Sequence, residues 1–339
     1  MIRLSVDAMG GDFAPESIIA GVFQALLKVN DLFIYLYGDA NKINDILKNI
    51  SGSNHYQLLS QRIKIIHTPF YLDMGIKYVR EEIRDNPKHS MFLALEAARK
   101  NQVDGVISAG PTQALVLSSY LMIGTVGNMK RISLAPIFTS LDNKTRILLD
   151  AGANIETKPE DLLSFAICAS VLAQDFLNIS TPIVKLLNIG IEGDKGRHLE
   201  IETFKLLKAN PNIFFKGNEE PQNIFHTEAD ILLSDGYTSN ILLKTHKGLT
   251  DMFGTVFKEV LTENLAKKIV SRVFFQKKIQ TIFKKLDSKE IGGAILLGLN
   301  KIVIKAHGNS KSYAFYKAIM QAKLLVEQGF LAKILKKFQ

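Results

Sequence analysis

Polar and apolar positions along the chain follow two rhythms. Short runs at Ile2–Val6, Leu32–Tyr37, Ile63–Ile66, Gly105–Ser108, Val184–Leu187, Ile213–Phe215, Ile231–Ser234 and Ile302–Lys305 stop abruptly at Gly, Asn, Asp or a polar turn. Apolar runs closed in this way predict strands covered on both faces. Between them, apolar residues three or four apart predict helices after Pro15, near Lys42–Asn49, and over Met91–Lys100, Gln113–Ile123, Pro159–Phe176 and Leu199–Lys208. Strand, glycine-bearing turn and helix recur, so the fold class is α/β with a mostly parallel sheet. Leu134–Phe138 and Arg146–Leu149 read as a hairpin interrupting that pattern.

Two stretches break the rhythm. Residues 68–90 form a charged connection too long for an idle loop, with Arg80, Arg84 and Lys88 available to an anion. After Asn240 more than forty residues keep a helical pattern. In it Phe275, Ile279, Ile282 and Leu286 repeat at helical spacing among Lys267, Lys268, Arg272, Lys277, Lys278, Lys284 and Lys285. Such a basic amphipathic helix suits a membrane surface or an acidic partner, and equally suits packing on the domain or on a second subunit. No repeat or linker divides the chain. The expectation is a single α/β domain over 1–339 with a projecting helical pair at about 247–287.

Candidate chemistry sits where strands empty into loops, since open α/β sheets bind ligands at strand carboxyl ends. V-K-L-L-N-I-G-I-E-G-D-K-G-R carries Lys195, and I-L-L-S-D-G-Y-T-S-N ends on Asn240; these two side chains are expected to face one another across a phosphate. The loop Asp7-Ala-Met-Gly-Gly-Asp12 and the turn Ala306-His-Gly-Asn-Ser310 offer backbone N–H groups at Gly10, Gly11, Gly308 and Asn309 for an anion at a helix start. Neither is a GxGxxG or P-loop motif. His307 reads as a turn histidine rather than a metal ligand, because no second His stands at ligand spacing, and no zinc, magnesium or other cofactor is expected.

Composition changes this picture little. With 47% apolar and 22% charged residues and nine prolines in 339, the chain is an ordered globule. The formal charge of +9 invites a polyanion, although Lys outnumbers Arg 33 to 9, which compositional bias alone can produce. Cys168, the one cysteine, lies in an apolar helical run; this excludes a disulfide framework, fits a reducing cytoplasm, and favours core packing over a catalytic thiol. The start M-I-R-L-S-V-D enters a strand directly, and no apolar stretch approaches a membrane span, so a soluble or at most peripheral protein is expected.

The segments D-A-M-G-G-D, L-L-D-A-G-A-N, K-P-E-D-L-L, L-L-N-I-G, D-G-Y-T-S-N, G-G-A-I-L-L-G and K-A-H-G-N-S occur in order between residues 7 and 310. Together they closely resemble the bacterial phosphate acyltransferases of phospholipid synthesis, the PlsX family. The resemblance implies transfer of a long acyl chain from acyl carrier protein to inorganic phosphate, making acyl phosphate for a membrane glycerol-3-phosphate acyltransferase of the PlsY type. It also implies a homodimer, peripheral contact with an anionic membrane, and a three-layer α/β/α sheet akin to phosphotransacetylases and to isocitrate and isopropylmalate dehydrogenases. The family's catalytic lysine and asparagine fall on Lys195 and Asn240. Two departures stand out: the family's S-A-G-N-T-G-A is here Ser108-Ala-Gly-Pro-Thr-Gln-Ala114, and G-N-V-E-G is Gly217-Asn-Glu-Glu-Pro221. Pro111 and Gln113 remove a backbone donor and a permissive glycine, so phosphate contacts are not assigned to that loop.

Attack of phosphate on a thioester needs a dianion site, oxyanion stabilisation and an exit for the thiolate. Phosphate is itself an anionic nucleophile, so the lack of a Ser-His-Asp or Cys-His signature is no obstacle. Lys195 can neutralise phosphate or protonate the thiolate, and the Asn240 amide can donate to the oxyanion. In the projection, Lys268, Arg272, Phe274, Phe275, Lys277 and Lys278 are the expected membrane or carrier-protein contacts. Rival readings are a dehydrogenase or phosphotransacetylase of the same fold, and a non-catalytic basic membrane adaptor. A dehydrogenase would want a nicotinamide and clustered metal-binding aspartates, and the basic run lacks the interleaved aromatics of a nucleic-acid module, so no nucleic-acid partner is expected.

Overall fold

In the computed structural model, residues 1–140, 142–262 and 292–338 are described. Its first half runs β1 (Ile2–Asp7), α1 (Glu16–Lys28), β2 (Leu32–Gly38), α2 (Ala40–Ser60), β3 (Ile63–His67), α3 (Val79–Asp85), α4 (Ser90–Arg99), β4 (Gly105–Ser108) and α5 (Thr112–Ile123). Next come β5 (Ser133–Ala135), β6 (Ile137–Thr139), β7 (Thr145–Leu149), α6 (Pro159–Phe176), β8 (Ile183–Leu187), α7 (His198–Ala209), β9 (Phe214–Glu219) and β10 (Ile231–Leu233). The described chain ends with α8 (Gly236–Thr262), β11 (Ala294–Leu297), β12 (Ile302–Lys305), α9 (Ser312–Glu327) and α10 (Phe330–Lys337).

The strands form not one sheet but two, a seven-stranded sheet ordered β3-β2-β1-β4-β12-β11-β5 and a five-stranded sheet ordered β6-β7-β10-β8-β9. The expected hairpin arm 134–138 is broken at Pro136, which has no N–H to give a ladder, so β5 ends one sheet and β6 starts the other. Two backbone bonds cross this seam, Leu148 N–H to the Pro136 carbonyl at 3.2 Å and Ala151 N–H to the Leu134 carbonyl at 2.8 Å. Pairing is parallel except at β11, which opposes both β12 and β5, and in the β6–β7 pair. Direction therefore reverses across the seam. β7, β10 and β8 run against β12, β4 and β1, so their carboxyl-end loops leave the other way.

Helices cover both faces, which makes the three layers. Ile107 and Ile304 point into a cluster with Ile18 and Leu26 of α1 and Phe315 of α9, and this same cluster continues to Leu186 and Leu233 of the second sheet under Phe165 and Leu172 of α6. One apolar core thus underlies both sheets. Val106 and Val303, one residue over and hence on the opposite face, pack with Phe92 and Leu95 of α4 and Leu115 of α5. Cys168 is part of the core: its Sγ lies 3.6 Å from Met129 Sδ, and burial pushes its thiol up to about 12. Of the projecting pair, α8 is described to Thr262; Lys268, Arg272, Phe274, Phe275, Lys277 and Lys278 lie outside the described residues. No described helix is long and apolar enough to cross a membrane.

On β7, Arg146 is 1% exposed and serves as a polar core element. Its guanidinium donates to the Ala229 carbonyl at 3.0 Å, to the Thr227 carbonyl, and to both Asp142 oxygens at 2.8 and 2.9 Å. Arg146→Met would leave those carbonyls unmatched in the interior. A loss of about 2–4 kcal/mol in urea denaturation is expected; a variant as stable as the parent would mean that these bonds contribute nothing.

Candidate functional site

The loops after β1, β7 and β10 each start from a buried aspartate. Asp150, buried at the end of β7, accepts N–H bonds from Leu134, Gly152, Ala153 and Asn154 at 2.8–3.2 Å and from the Asn154 amide at 2.8 Å. Burial raises its carboxyl above the usual range against the pull of these donors. The loop so fixed presents Gly152, at φ +119°, where an added Cβ would stand 2.6 Å from Asn240 Nδ2. A glycine is required for that approach. Asn240 itself lies inside α8 rather than in the turn before it, because Asp235 caps the helix by accepting the Thr238 N–H at 2.7 Å.

Lys195 leaves the end of β8, the strand hydrogen-bonded beside β10. Its carbonyl accepts from Asn188 Nδ2 at 3.0 Å, and Asn218 Nδ2 holds the Glu192 carbonyl at 2.7 Å. Gly196, at φ +90°, lets the chain turn against the Asn188 amide. Two residues past Lys195, the Arg197 guanidinium pairs with Glu200 and Asp235, and these carboxylates raise its own pKa. The Lys195 loop and the Asn240 helix are thus tied by one ion pair. The Lys195 side chain is exposed.

The expected phosphate-holding residues make a second group, at the ends of β1, β4 and β12. Asp12 N–H donates to the Gly308 carbonyl at 2.8 Å, an added Cβ on Gly11 would meet that carbonyl at 2.9 Å, and one on Gly10 would meet Gly110 N at 2.7 Å. Gly10, Gly11 and Gly308 therefore touch, with Asn309 exposed in the same turn and His307 exposed beside it. Beneath them Asp7 accepts hydroxyl bonds from Ser90 at 2.6 Å and Ser108 at 2.7 Å, and burial raises its carboxyl. Lys305, also buried, donates to the carbonyls of Ala306 and, at 3.4 Å, Ala109; burial brings its amine down to about 8. In the departing loop the Gly110 N–H is already bonded to Ser108 Oγ at 3.0 Å.

Sheet reversal separates these two groups. A cavity of about 480 Å³ reaches Gly152 beside Asn240, but none of Lys195, Asn240, Gly10, Gly11, Gly308 and Asn309 lines it. Its lining includes Lys77, three residues after Met74, whose Cε would touch a Cβ on Gly308. It also includes Gln113, three residues after Gly110, and at its other side Gly152, against Asn240. Of the basic residues expected in 68–90, Arg80 lines it, whereas Arg84 is spent on Asp85 at 2.7 Å. Arg131, on the approach to β5, joins it without any prior signal. Among the described residues no group of three or more His, Cys, Asp and Glu is placed to hold a metal.

Sequence reasoning missed Asp150, Arg197, Asp235 and Lys305 as organisers. All four stand in or beside the motifs quoted above, so position was visible; their partners, up to 196 residues away for Lys305 and Ala109, were not.

Residues 2–333 match the model of a family described as fatty acid synthesis protein. A phosphate acyltransferase of Aster yellows witches'-broom phytoplasma is 49% identical over 334 residues, 98% of this chain and 91% of that one. The phosphate acyltransferase of Bacillus subtilis is 36% identical over 333 residues, 98% of this chain and 97% of its own. Among solved structures, a phosphotransacetylase from Streptococcus pyogenes superposes with a TM-score of 0.64 at 16% identity, over 96% of this chain and 94% of that one, a likeness of fold.

Lys305 supplies a pH signature. In the folded protein its amine loses its proton near pH 8, against 10.5 unfolded, so between those values the unfolded chain binds more protons and stability rises with pH. The stability of the parent relative to Lys305→Met should therefore rise by about 1.6 kcal/mol from pH 8 to 9.5. A difference independent of pH would place the amine in water instead.

Proposed function

This chain belongs to the phosphate acyltransferase family, and we propose that it transfers a long acyl chain from the thioester of acyl carrier protein to inorganic phosphate, releasing the carrier thiol and acyl phosphate. An acyl phosphate is an activated acyl group like the thioester, so the reaction is reversible, and its product suits a membrane glycerol-3-phosphate acyltransferase of the PlsY type on the way to phosphatidic acid.

One observation carries the mechanism: loops on adjacent parallel strands, joined by the Arg197–Asp235 pair, bring the stretches bearing Lys195 and Asn240 together beside the cavity. A phosphate oxygen attacks the thioester carbonyl carbon, and the carbonyl oxygen takes up the charge. The Asn240 amide, held against Gly152, donates to that oxyanion. On collapse the C–S bond breaks, and Lys195 neutralises phosphate before attack or gives a proton to the leaving thiolate. The touching loops of Gly10, Gly11, Gly308 and Asn309 offer backbone N–H groups as an anion cradle for phosphate, the buried Lys305 ammonium reinforcing it from below.

Peripheral membrane attachment and a homodimer complete the reading. On α8, Tyr237, Ile241, Leu249, Met252, Phe253, Val256 and Val260 are exposed at helical spacing, an apolar face that leads toward the basic segment 268–278 and supports a subunit or lipid contact there. Its lysines suit an acidic carrier protein.

Hydroxylamine traps acyl phosphate as hydroxamate, and that assay with acyl carrier protein and acyl-CoA as alternative donors tests the reaction. Asn240→Ala should lose about 10²–10³-fold in kcat, or roughly 2.7–4 kcal/mol of transition-state stabilisation, and Lys195→Ala should also lose turnover, both with unchanged melting. Full turnover in either variant refutes the role given to that residue. Sedimentation with anionic vesicles should fall in Phe274→Asp/Phe275→Asp and with added salt; vesicle binding untouched by both would leave the projection a purely structural element.

A further inference from the structure

The cavity carries chemistry that Lys195 and Asn240 do not use. Lys77, Arg80 and Arg131 line it and are exposed, against one exposed carboxylate, Glu81. Among the described residues no ion pair satisfies any of these three cations. Further in, the walls are apolar: Val116 and Leu117 from one face of α5, and the buried Ile132. Gly152 brings the lining to the Asn240 carboxamide. A pocket of about 480 Å³ lies within the roughly 300–1,000 Å³ of ligand sites that combine apolar walls with a few polar groups.

Such a pocket fits a ligand with an anion at one end, a flexible uncharged body, and a reacting group at the other. A bare acyl chain would leave three cations without a partner at the mouth, and free phosphate would leave the apolar walls unfilled. Building on the acyl-transfer reading, we propose that this cavity is the subsite for the donor's prosthetic arm, a 4′-phosphopantetheine. Its phosphodiester rests on Arg80, Arg131 and Lys77, its amide-linked body lies along Val116 and Leu117, and its thioester arrives at Asn240. Guanidinium groups suit this role, since they hold phosphate oxygens through paired N–H donors. No bond is made or broken here; the subsite sets the depth at which the thioester stops. Gln113, where the resembling family has glycine, also lines this space, so the departure falls on the arm's path.

The test compares two small donors of one chain length, acyl-phosphopantetheine and acyl-pantetheine, which differ only in the phosphate. The parent should show a KM about tenfold or more lower for the phosphorylated donor, the worth of a charge-assisted contact. In Arg80→Ala/Arg131→Ala the two donors should have the same KM, with the KM for inorganic phosphate and kcat on acyl-pantetheine unchanged. Leu117→Trp, which fills the apolar wall, should raise KM for both donors and leave that for phosphate alone. Equal KM values in the parent, or a phosphate preference that survives removal of both arginines, overturn the proposal. Calorimetric titration with phosphopantetheine itself reads the cavity without turnover: tighter binding than pantetheine, lost in the double variant, supports the subsite, and no difference refutes it. Failure of every donor, acyl carrier protein included, to give trapped acyl phosphate would count against the reaction and leave the calorimetric result to judge the cavity.

Discussion

The structure rests on carboxylates withdrawn from water at the ends of strands. Asp7, Asp150 and Asp235 are each about as buried as the core around them, and a bare charge there would cost several kcal/mol. Each is instead surrounded by donors from elsewhere in the chain: hydroxyls of Ser90 and Ser108 for Asp7, four backbone N–H groups for Asp150, Arg197 and the first turn of α8 for Asp235. The same bonds that offset the burial also fix the loops. Glycine follows each aspartate within three residues because backbone must pass close to the filled carboxylate: added Cβ atoms on Gly10 and Gly236 would lie 2.4 and 2.9 Å from an aspartate oxygen.

Pro136 sets how these loops are shared out. It ends one ladder and lets the next begin, and the antiparallel β6–β7 hairpin that follows turns β7, β10 and β8 against the strands of the first sheet. The carboxyl-end loops of the two sheets therefore leave in opposite directions instead of crowding one edge. Helix α5 starts two residues after Gly110 and lines the cavity that ends at Gly152, the glycine against Asn240.

Much of this was legible in order. Buried strands announce themselves as apolar runs stopped by Gly or Asp, and the strands from Ile2, Leu32, Ile63, Gly105 and Ile231 start where periodicity puts them. A glycine next to an aspartate at such a stop marks a loop under tight packing, as at Gly10, Gly152 and Gly236. Less visible was anything decided by direction or distance. β11 is an apolar run with glycines on both sides, so its strand character was hidden in what reads as a lead-in to β12, and its antiparallel setting depends on neighbours fixed only by tertiary packing. Arg146 looks like an ordinary hairpin arginine until Ala229 and Thr227 arrive across the sheet. Arg131 gives no local cue for its place in the cavity, because that place is made by a loop twenty residues on.

How the two proposed catalytic side chains are held differs, and the difference matches their tasks. Asn240 stands in a helix, hard against Gly152, with little freedom to turn; a donor to an oxyanion acts through fixed geometry, since it must already be aimed when charge develops. Lys195 is held through its backbone alone, by Asn188 at its own carbonyl and by the Arg197 clamp two residues on, while its four-carbon stem remains in solvent. Charge in the proposed reaction moves from phosphate to the sulfur, and a single ammonium on a flexible stem can follow it. An arginine could not do the same work at the second stage, because it has no proton to give at neutral pH. In the proposed reaction a rigid amide and a flexible amine, carried by two loops that one ion pair keeps in register, act without a dedicated base.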